Sequence, residues 1–275
     1  MKNQNPILII GGNGKTGKRV VKKLVDKGIN PRAVSRSTTP AFDWNHPDTW
    51  DLCLADVKSI YVTYQPDLAV PGADTAIQEL TERALENGVE HMVLLSGRGE
   101  DGAIRAENIL RQSGLTWTIV RSSWFAQNFS EHDFKYGIIA GELALPVGDV
   151  AEPFIDTDDI AEVVVAALTE PGHDNRLYEV TGPRAITFAE AVDEISKAIN
   201  KPVKFTKIST GQFKQHMDQA EVPAPVSDLM IELFTEVLDG RNSNICNGVT
   251  EALGRPAKDF KDYAKDTARC GQWAA

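Results

Sequence analysis

The segment Gly11-Gly12-Asn13-Gly14-Lys15-Thr16-Gly17 constrains this chain more than any other. It follows a short apolar run at residues 7–10 and precedes Val20, Val21, Leu24 and Val25, which recur at helical spacing. The run reads as a parallel strand buried on both faces, and the later spacing as an amphipathic helix that Gly28 closes. Glycines at such a junction permit a tight turn, let a pyrophosphate approach the backbone, and let the helix pack against the sheet. The helix N-terminus then offers N–H groups and partial positive charge to phosphates. Gly12, Gly14 and Gly17 satisfy Gly-x-Gly-x-x-Gly, with Asn13, Lys15 and Thr16 completing the expected cofactor loop. A triphosphate-binding loop ending in Gly14-Lys15-Thr16 would need a glycine five positions before Gly14, where Ile9 stands.

The alternation continues along the chain. Strands are predicted over 31–35, 59–63, 91–96, 117–120 and 177–181, with another ending at Asp43-Trp44, a pair expected to border an adenine or, for Trp44, simply to pack. Helices are predicted over 75–87, 105–112, 160–168 and 188–199. Helices of this length between strands imply βαβ units with right-handed crossovers and a mostly parallel sheet. After about residue 182 one strand, 203–208, precedes helices joined by proline and glycine turns, with 221–225 as a loop. The expected architecture is α/β: a Rossmann-type doubly wound parallel sheet over 1–182, with a smaller, mainly helical C-terminal lobe over 183–275 interleaved with the core.

Bulk composition narrows the function. The 275 residues are 42% hydrophobic and 25% charged, with a formal net charge of −10. That surface repels phosphate backbones, so neither nucleic acid nor membrane is an expected partner; a small-molecule acceptor is, and a homodimer is left open. Cys53, Cys246 and Cys270 lie far apart, and the histidines supply no partner at metal-ligand spacing, so no metal is expected. No signal-like or membrane-spanning run follows Met1-Lys2-Asn3-Gln4-Asn5-Pro6, and a cytoplasmic setting is expected.

The second strand ends Val34-Ser35-Arg36-Ser37, where NAD-preferring proteins carry an acid for the ribose 2′-hydroxyl. Arg36 can instead pair with a 2′-phosphate, which favours NADP(H) over NAD(H).

With these residues in view, the chain resembles the NmrA-like group of atypical short-chain dehydrogenases over nearly its whole length. The resemblance rests on the glycine loop, whose Gly11, Gly14 and Gly17 also carry short-chain dehydrogenase spacing, on Arg36, and on Leu94-Leu95-Ser96. It rests further on residues 106–121, on Ser123-Trp124-Phe125-Ala126-Gln127-Asn128-Phe129, and on residues 153–161. Members of the group include bacterial NAD(P)H-dependent quinone or azo reductases and fungal ergot-alkaloid reductases. Others are redox sensors that bind the nucleotide without turning it over.

Most short-chain dehydrogenases protonate a carbonyl oxygen with Tyr-x-x-x-Lys. None of Tyr61, Tyr64, Tyr136, Tyr178 and Tyr263 has a lysine four residues on. Many NmrA-like proteins have a lysine four residues before the position of Glu107; here that residue is Ala103. Glu107 itself reads as a solvated helix residue. Hydride transfer to a quinone, azo or iminium acceptor needs little enzyme acid, so the expected function is an NADPH-dependent oxidoreductase for such compounds. The alternative is a non-catalytic NADP(H)-binding sensor of a partner protein; a nucleotide-sugar epimerase is disfavoured by the missing pair. Tyr64, Ser96 and Asn128 are the candidate catalytic residues, and Arg98, Trp124 and Phe125 the candidate acceptor pocket, since ligands of doubly wound sheets gather at the strands' carboxyl edge. For Trp124 and Phe125 core packing, and for Ser96 and Asn128 turn hydrogen bonding, are equally open readings.

Overall fold

The computed structural model describes residues 6–274; residues 1–5, where no signal-like run was read above, and residue 275 lie outside the described residues. In chain order the elements are β1 (Ile7–Ile10), α1 (Gly17–Asp26), β2 (Arg32–Val34), α2 (Trp50–Leu54), β3 (Ser59–Val62), α3 (Ala73–Glu86), β4 (His91–Gly97), α4 (Asp101–Gln112) and β5 (Thr116–Ser122). There follow α5 (Asp133–Ala140), β6 (Glu142–Leu145), β7 (Ala151–Glu152), α6 (Thr157–Thr169), β8 (Arg176–Val180), β9 (Ile186–Thr187) and α7 (Phe188–Ile199). The chain ends with β10 (Lys204–Lys207), α8 (Thr210–Gln219), α9 (Ala224–Glu232), α10 (Gly248–Leu253) and α11 (Phe260–Arg269).

These elements form two compact units whose segments alternate along the chain. One takes in the residues up to Ser122, Thr157–Val180 and Asn247–Arg255. The other takes in Ser123–Asp156, Thr181–Cys246 and the residues from Pro256 onward.

The first unit holds a six-stranded parallel sheet in the order β2-β1-β3-β4-β5-β8. Successive side chains on each strand face opposite ways, and both faces are covered, which is why the strands read as unbroken apolar runs. Leu8, Ile10, Ile60, Val62, Met92 and Leu94 share a core with Ile77 and Leu80 of α3 and with Ala103, Ala106 and Leu110 of α4. The intervening Ile9, Tyr61 and Val93 are fully buried. Helices α1 and α6 pack together, and α6 lies on β3, β4 and β5. The chain leaves β1 for β2 on one side and returns to β3 on the other, so strand order reverses at β1, where a doubly wound sheet opens its ligand crevice.

A charged ladder locks the carboxyl ends of β4, β5 and β8. Ser96, Arg121 and Glu179 are lateral neighbours in register. Glu107 of α4, only 1% exposed, accepts from Ser96 Oγ at 2.7 Å and from Arg121 Nε at 2.8 Å and Nη2 at 2.5 Å. Glu179 accepts from Arg98 Nε at 2.6 Å. Glu107 is therefore a buried, fully engaged carboxylate and not the solvated helix residue its sequence position suggests. It belongs to the inner face of α4, with Ala103, Ala106 and Leu110.

The second unit contains the parallel pair β6–β10 and the antiparallel pair β7–β9 around an aromatic core. Phe129, Phe134, Phe154, Phe188, Phe213, Phe234, Phe260, Tyr263 and Trp273 are all buried there. A Thr187/Glu190 capping box starts α7, and Arg184 joins Glu194 of α7 at 2.6 Å to Asp259 at 2.6 Å.

Two expectations are corrected. No strand ends at Asp43-Trp44; the aromatic residues of that segment satisfy themselves by stacking instead. Phe42, Trp44 and Trp50 meet at 5.0–5.5 Å, Trp44 lies 4.6 Å from Tyr64, and the Trp50 indole N–H donates to the Asp43 carbonyl. The loop expected over 221–225 is shorter, because Pro225 sits in the first turn of α9, where a missing N–H breaks no helical bond. Among the described residues no helix is long and apolar enough to cross a membrane.

Candidate functional site

The glycine loop leaves β1 at the switch point, and its glycines answer to two different demands. The N–H groups of Gly11 and Gly12 donate to the Val34 carbonyl at 3.1 and 3.2 Å, clamping the turn to the end of β2. Gly11 has a φ of +77°, and a Cβ there would strike Thr63. A Cβ at Gly17 would run into the Gly11 carbonyl, and one at Gly12 would lie 2.8 Å from the Ala33 Cβ. Those three positions are glycine because the fold requires it. Gly14 differs: a Cβ there meets only the Gly11 carbonyl oxygen, at 3.1 Å, and its φ is not left-handed. The fold asks less of Gly14 than of the other three, and close approach by a bound group is a further demand on it.

Helix α1 begins at Gly17 with no acidic residue in its first turn and no side-chain cap. The hydroxyl of Thr16, which would ordinarily cap, accepts from the buried Tyr61 hydroxyl at 2.9 Å. The positive end of the helix dipole is thus left without a carboxylate of its own, despite the net charge of −10. Such an end, beside a glycine whose Cβ space is nearly clear, fits a pyrophosphate.

The turn after β2 is tied to the same loop. Asn13 Nδ2 donates to Ser35 Oγ at 3.0 Å, and Ser35 N–H donates to Thr38 Oγ1 at 2.9 Å. Arg36 stands exposed on this turn and, among the described residues, makes no ion pair. Arg83, Arg121, Arg184, Arg241 and Arg255 all have carboxylate partners. An unpaired guanidinium beside the loop suits a 2′-phosphate.

The remaining candidates of the first unit lie at the carboxyl ends of β3 and β4. Tyr64, two residues past β3, is half-buried; burial first, then the charge of Asp74, raises its pKa, so the phenol stays protonated and can donate. Ser96 lies inside β4 rather than beyond it, 3% exposed and donating to Glu107. Arg98 is 6% exposed and held by Glu179. Sequence reading missed Asp67, whose carboxylate accepts from the Ala69 N–H at 2.8 Å and hydrogen-bonds Glu100; burial raises its pKa. Gly102, where a Cβ would strike the Ala69 backbone, lets this connection seat against α4.

Trp124, Phe125 and Asn128 fall in one stretch of the second unit, immediately after β5. The Trp124 carbonyl accepts from Ile155 N–H at 2.9 Å and its N–H faces Glu152 Oε1 at 3.3 Å. Its half-buried indole meets Phe188 at 5.8 Å and Phe234 at 5.4 Å. Phe125 forms an isolated parallel bridge with Ile155, and the Asn128 N–H closes a turn on the Phe125 carbonyl. Phe234 had no sequence signal; only tertiary packing brings it to Trp124.

A doubly wound sheet with a glycine loop at its switch point, leading into a helix with no acid in its own first turn, defines a dinucleotide-binding α/β protein. Residues 11–171 match the profile of NAD(P)H-binding proteins, and residues 101–260 match that of the NmrA-like family. The chain belongs to the NmrA-like family of NAD(P)H-binding proteins. It is 31% identical to prestalk A differentiation protein A of Dictyostelium discoideum, over 95% of this chain and 92% of that protein. It is also 31% identical to an NAD(P)H azoreductase of Xenophilus azovorans, over 94% and 96%. In fold it is similar to an NADPH-dependent quinone oxidoreductase from Escherichia coli solved with NADPH, with a TM-score of 0.80 at 18% identity over 94% of this chain and 99% of that one.

Two outcomes follow from this geometry. Gly14→Ala should weaken NADPH binding about tenfold or more while costing less stability than Gly17→Ala. Its Cβ would meet only the Gly11 carbonyl oxygen, at 3.1 Å, whereas that of Gly17 would run into the same atom. Gly17→Ala should instead destabilise the fold by about 1–3 kcal/mol; circular dichroism melts with NADPH titration separate the two, and normal binding by Gly14→Ala would place the phosphates elsewhere. Wild-type protein should bind NADPH about tenfold or more tightly than NADH, a difference worth about 1.5–3 kcal/mol that Arg36→Asp should abolish. Calorimetric titration of both nucleotides checks this, and equal wild-type affinities would contradict it.

Proposed function

We propose that this NAD(P)H-dependent oxidoreductase delivers hydride from NADPH to a small conjugated acceptor, a quinone, azo or iminium compound, without a Tyr-Lys acid pair. The accounting of its tyrosines carries the acceptor class. The hydroxyls of Tyr61 and Tyr263 are committed to Thr16 and Ser130, and that of Tyr178 to His173. Tyr136 is 70% exposed on α5. Tyr64 remains, and its pKa is raised, the opposite of what a neighbouring lysine achieves. An acceptor whose reduced form is a delocalised anion, or that forms no alkoxide, suits such a protein; a simple ketone does not.

In this reading the glycine loop and the N-terminus of α1 hold the pyrophosphate, and Arg36 pairs with the 2′-phosphate. The bound nucleotide supplies the hydride. On the first unit Tyr64 is the hydrogen-bond donor for an acceptor; on the second, Trp124 and Phe125 offer a flat apolar face and Asn128 a polar group to orient one. Ser96 and Arg98, engaged by Glu107 and Glu179, act by fixing the strand ends. The relatives named as azoreductase and quinone oxidoreductase support a small-molecule acceptor. The free cysteines Cys53, Cys246 and Cys270 suit a reducing, cytoplasmic setting.

NADPH consumption across a panel of quinones, azo dyes, cyclic iminium compounds and simple ketones tests the reading. Turnover of one of the first three classes, with ketones slower, is expected. Trp124→Ala should lower kcat/KM about tenfold or more, as loss of a stacking face does, while the NADPH Kd stays within about twofold. Tight NADPH binding with no turnover would move the protein to the sensor class, and rapid ketone reduction would reveal an acid among its residues.

A further inference from the structure

Of the mutually contacting rings in the second unit, Trp124 alone is not buried among the described residues. Two rings back its indole, and they differ in how they are held. Phe188 is completely buried, opens the capped helix α7, and packs on Phe129 and Phe154 as well, so it is a fixed wall. Phe234 sits on a π-helical turn, Leu233–Val237, that continues α9; the Leu238 N–H donates back to the Leu233 carbonyl at 3.1 Å. This wider turn leaves Phe234 and Val237 both buried. Turns of this kind are rare and recur at functional sites.

Beside Phe234 the hairpin is also anchored by Val237 and Leu238, both buried. Phe213 is the buried residue of α8 and Ser227 that of α9, while Met217, Met230 and Ile231 are partly buried. Lys214 and Asp228 join the two helices at 2.8 Å on their exposed side. The Phe213 and Phe234 rings meet edge-on at 5.4 Å, and Phe234 lies 5.4 Å from Trp124 at a 39° tilt. The Trp124 backbone is held separately, by Ile155 and Glu152. What Phe234 adds is therefore the angle of the indole, not the position of the chain.

We propose that Phe234 is a positioning residue that holds the Trp124 indole from behind and thereby sets the largest acceptor the protein reduces. The proposal rests on Trp124 serving as the acceptor's stacking face. Removing the ring leaves the indole backed by Phe188 alone, free to tilt into the vacated volume and widen the face it presents. A side chain that refills that volume restores the limit.

Turnover of a one-ring and a three-ring quinone by wild type, Phe234→Ala and Phe234→Leu, in protein labelled with 5-fluorotryptophan, tests this. Of the five tryptophan fluorine resonances, Trp124 is assigned by its loss in Trp124→Phe. In Phe234→Ala the kcat/KM ratio of large to small quinone should rise about tenfold or more, the order of selectivity a pocket of changed volume gives. The Trp124 resonance should shift while those of Trp44, Trp50 and Trp117 do not, the NADPH Kd should be unchanged, and Phe234→Leu should recover most of the wild-type ratio. An unchanged ratio in a folded, NADPH-binding variant overturns the proposal whether or not the resonance moves. Trp124→Ala with undiminished turnover, or wild type that reduces no quinone, azo or iminium compound, removes the acceptor reading on which it rests. Where wild type turns over only azo or iminium compounds, the same ratio is read on a small and a large member of that class.

Discussion

The approach of the Gly17 backbone to the Gly11 carbonyl, within a distance that no Cβ tolerates, is the contact on which the rest of the site depends. It lets α1 begin against the end of β1, and the Gly11 and Gly12 N–H groups fix that turn to Val34 of the neighbouring strand. With the turn so fixed, the N-terminus of α1 faces the crevice where the strand order reverses. Gly14 is then the position that packing constrains least, its Cβ space contested only by the Gly11 carbonyl oxygen at 3.1 Å. This division of labour distinguishes a nucleotide loop from a merely glycine-rich connection.

Charge is arranged locally rather than globally. The chain carries ten net negative charges, yet the first turn of α1 holds no acid, and Arg36 on the adjoining turn is not drawn into an ion pair among the described residues. Elsewhere the pattern is the reverse: Arg98 and Arg121 are held by Glu179 and Glu107 at the ends of β4, β5 and β8. Breaking such a buried pair leaves an uncompensated charge, so that network stiffens the strand ends, while the free arginine remains available to a ligand.

The parallel strands and their helices were legible because strands covered on both faces read as short apolar runs and the helices between them as amphipathic stretches. The glycine turn between β1 and α1 was legible because its backbone demands are local. Residues 41–50 misled because Phe42, Trp44 and Trp50 carry strand-like composition but satisfy it by stacking on one another. Glu107 misled because a carboxylate on a helix is usually solvated, and its partners Ser96 and Arg121 come from two strands that only the sheet register makes adjacent. Phe234 and the Asp67–Glu100 contact had no sequence signature, since both are products of tertiary packing. The residues of the two units alternate along the chain, an interleaving that composition expresses only as a change of character after about residue 182.

The tyrosine accounting, the exposed Arg36 and the half-buried Trp124 support the proposed reading of a reductase that works without a Tyr-Lys pair. The central claim is direct hydride delivery from bound NADPH. Reduction of a cyclic iminium acceptor with NADPH deuterated at the transferred C4 position tests it most directly, read by mass spectrometry and NMR of the product. The account predicts one deuterium on the former iminium carbon, in a single stereochemical position, from protein free of other redox groups. Product that carries solvent hydrogen at that carbon, or label distributed over both faces, would contradict it.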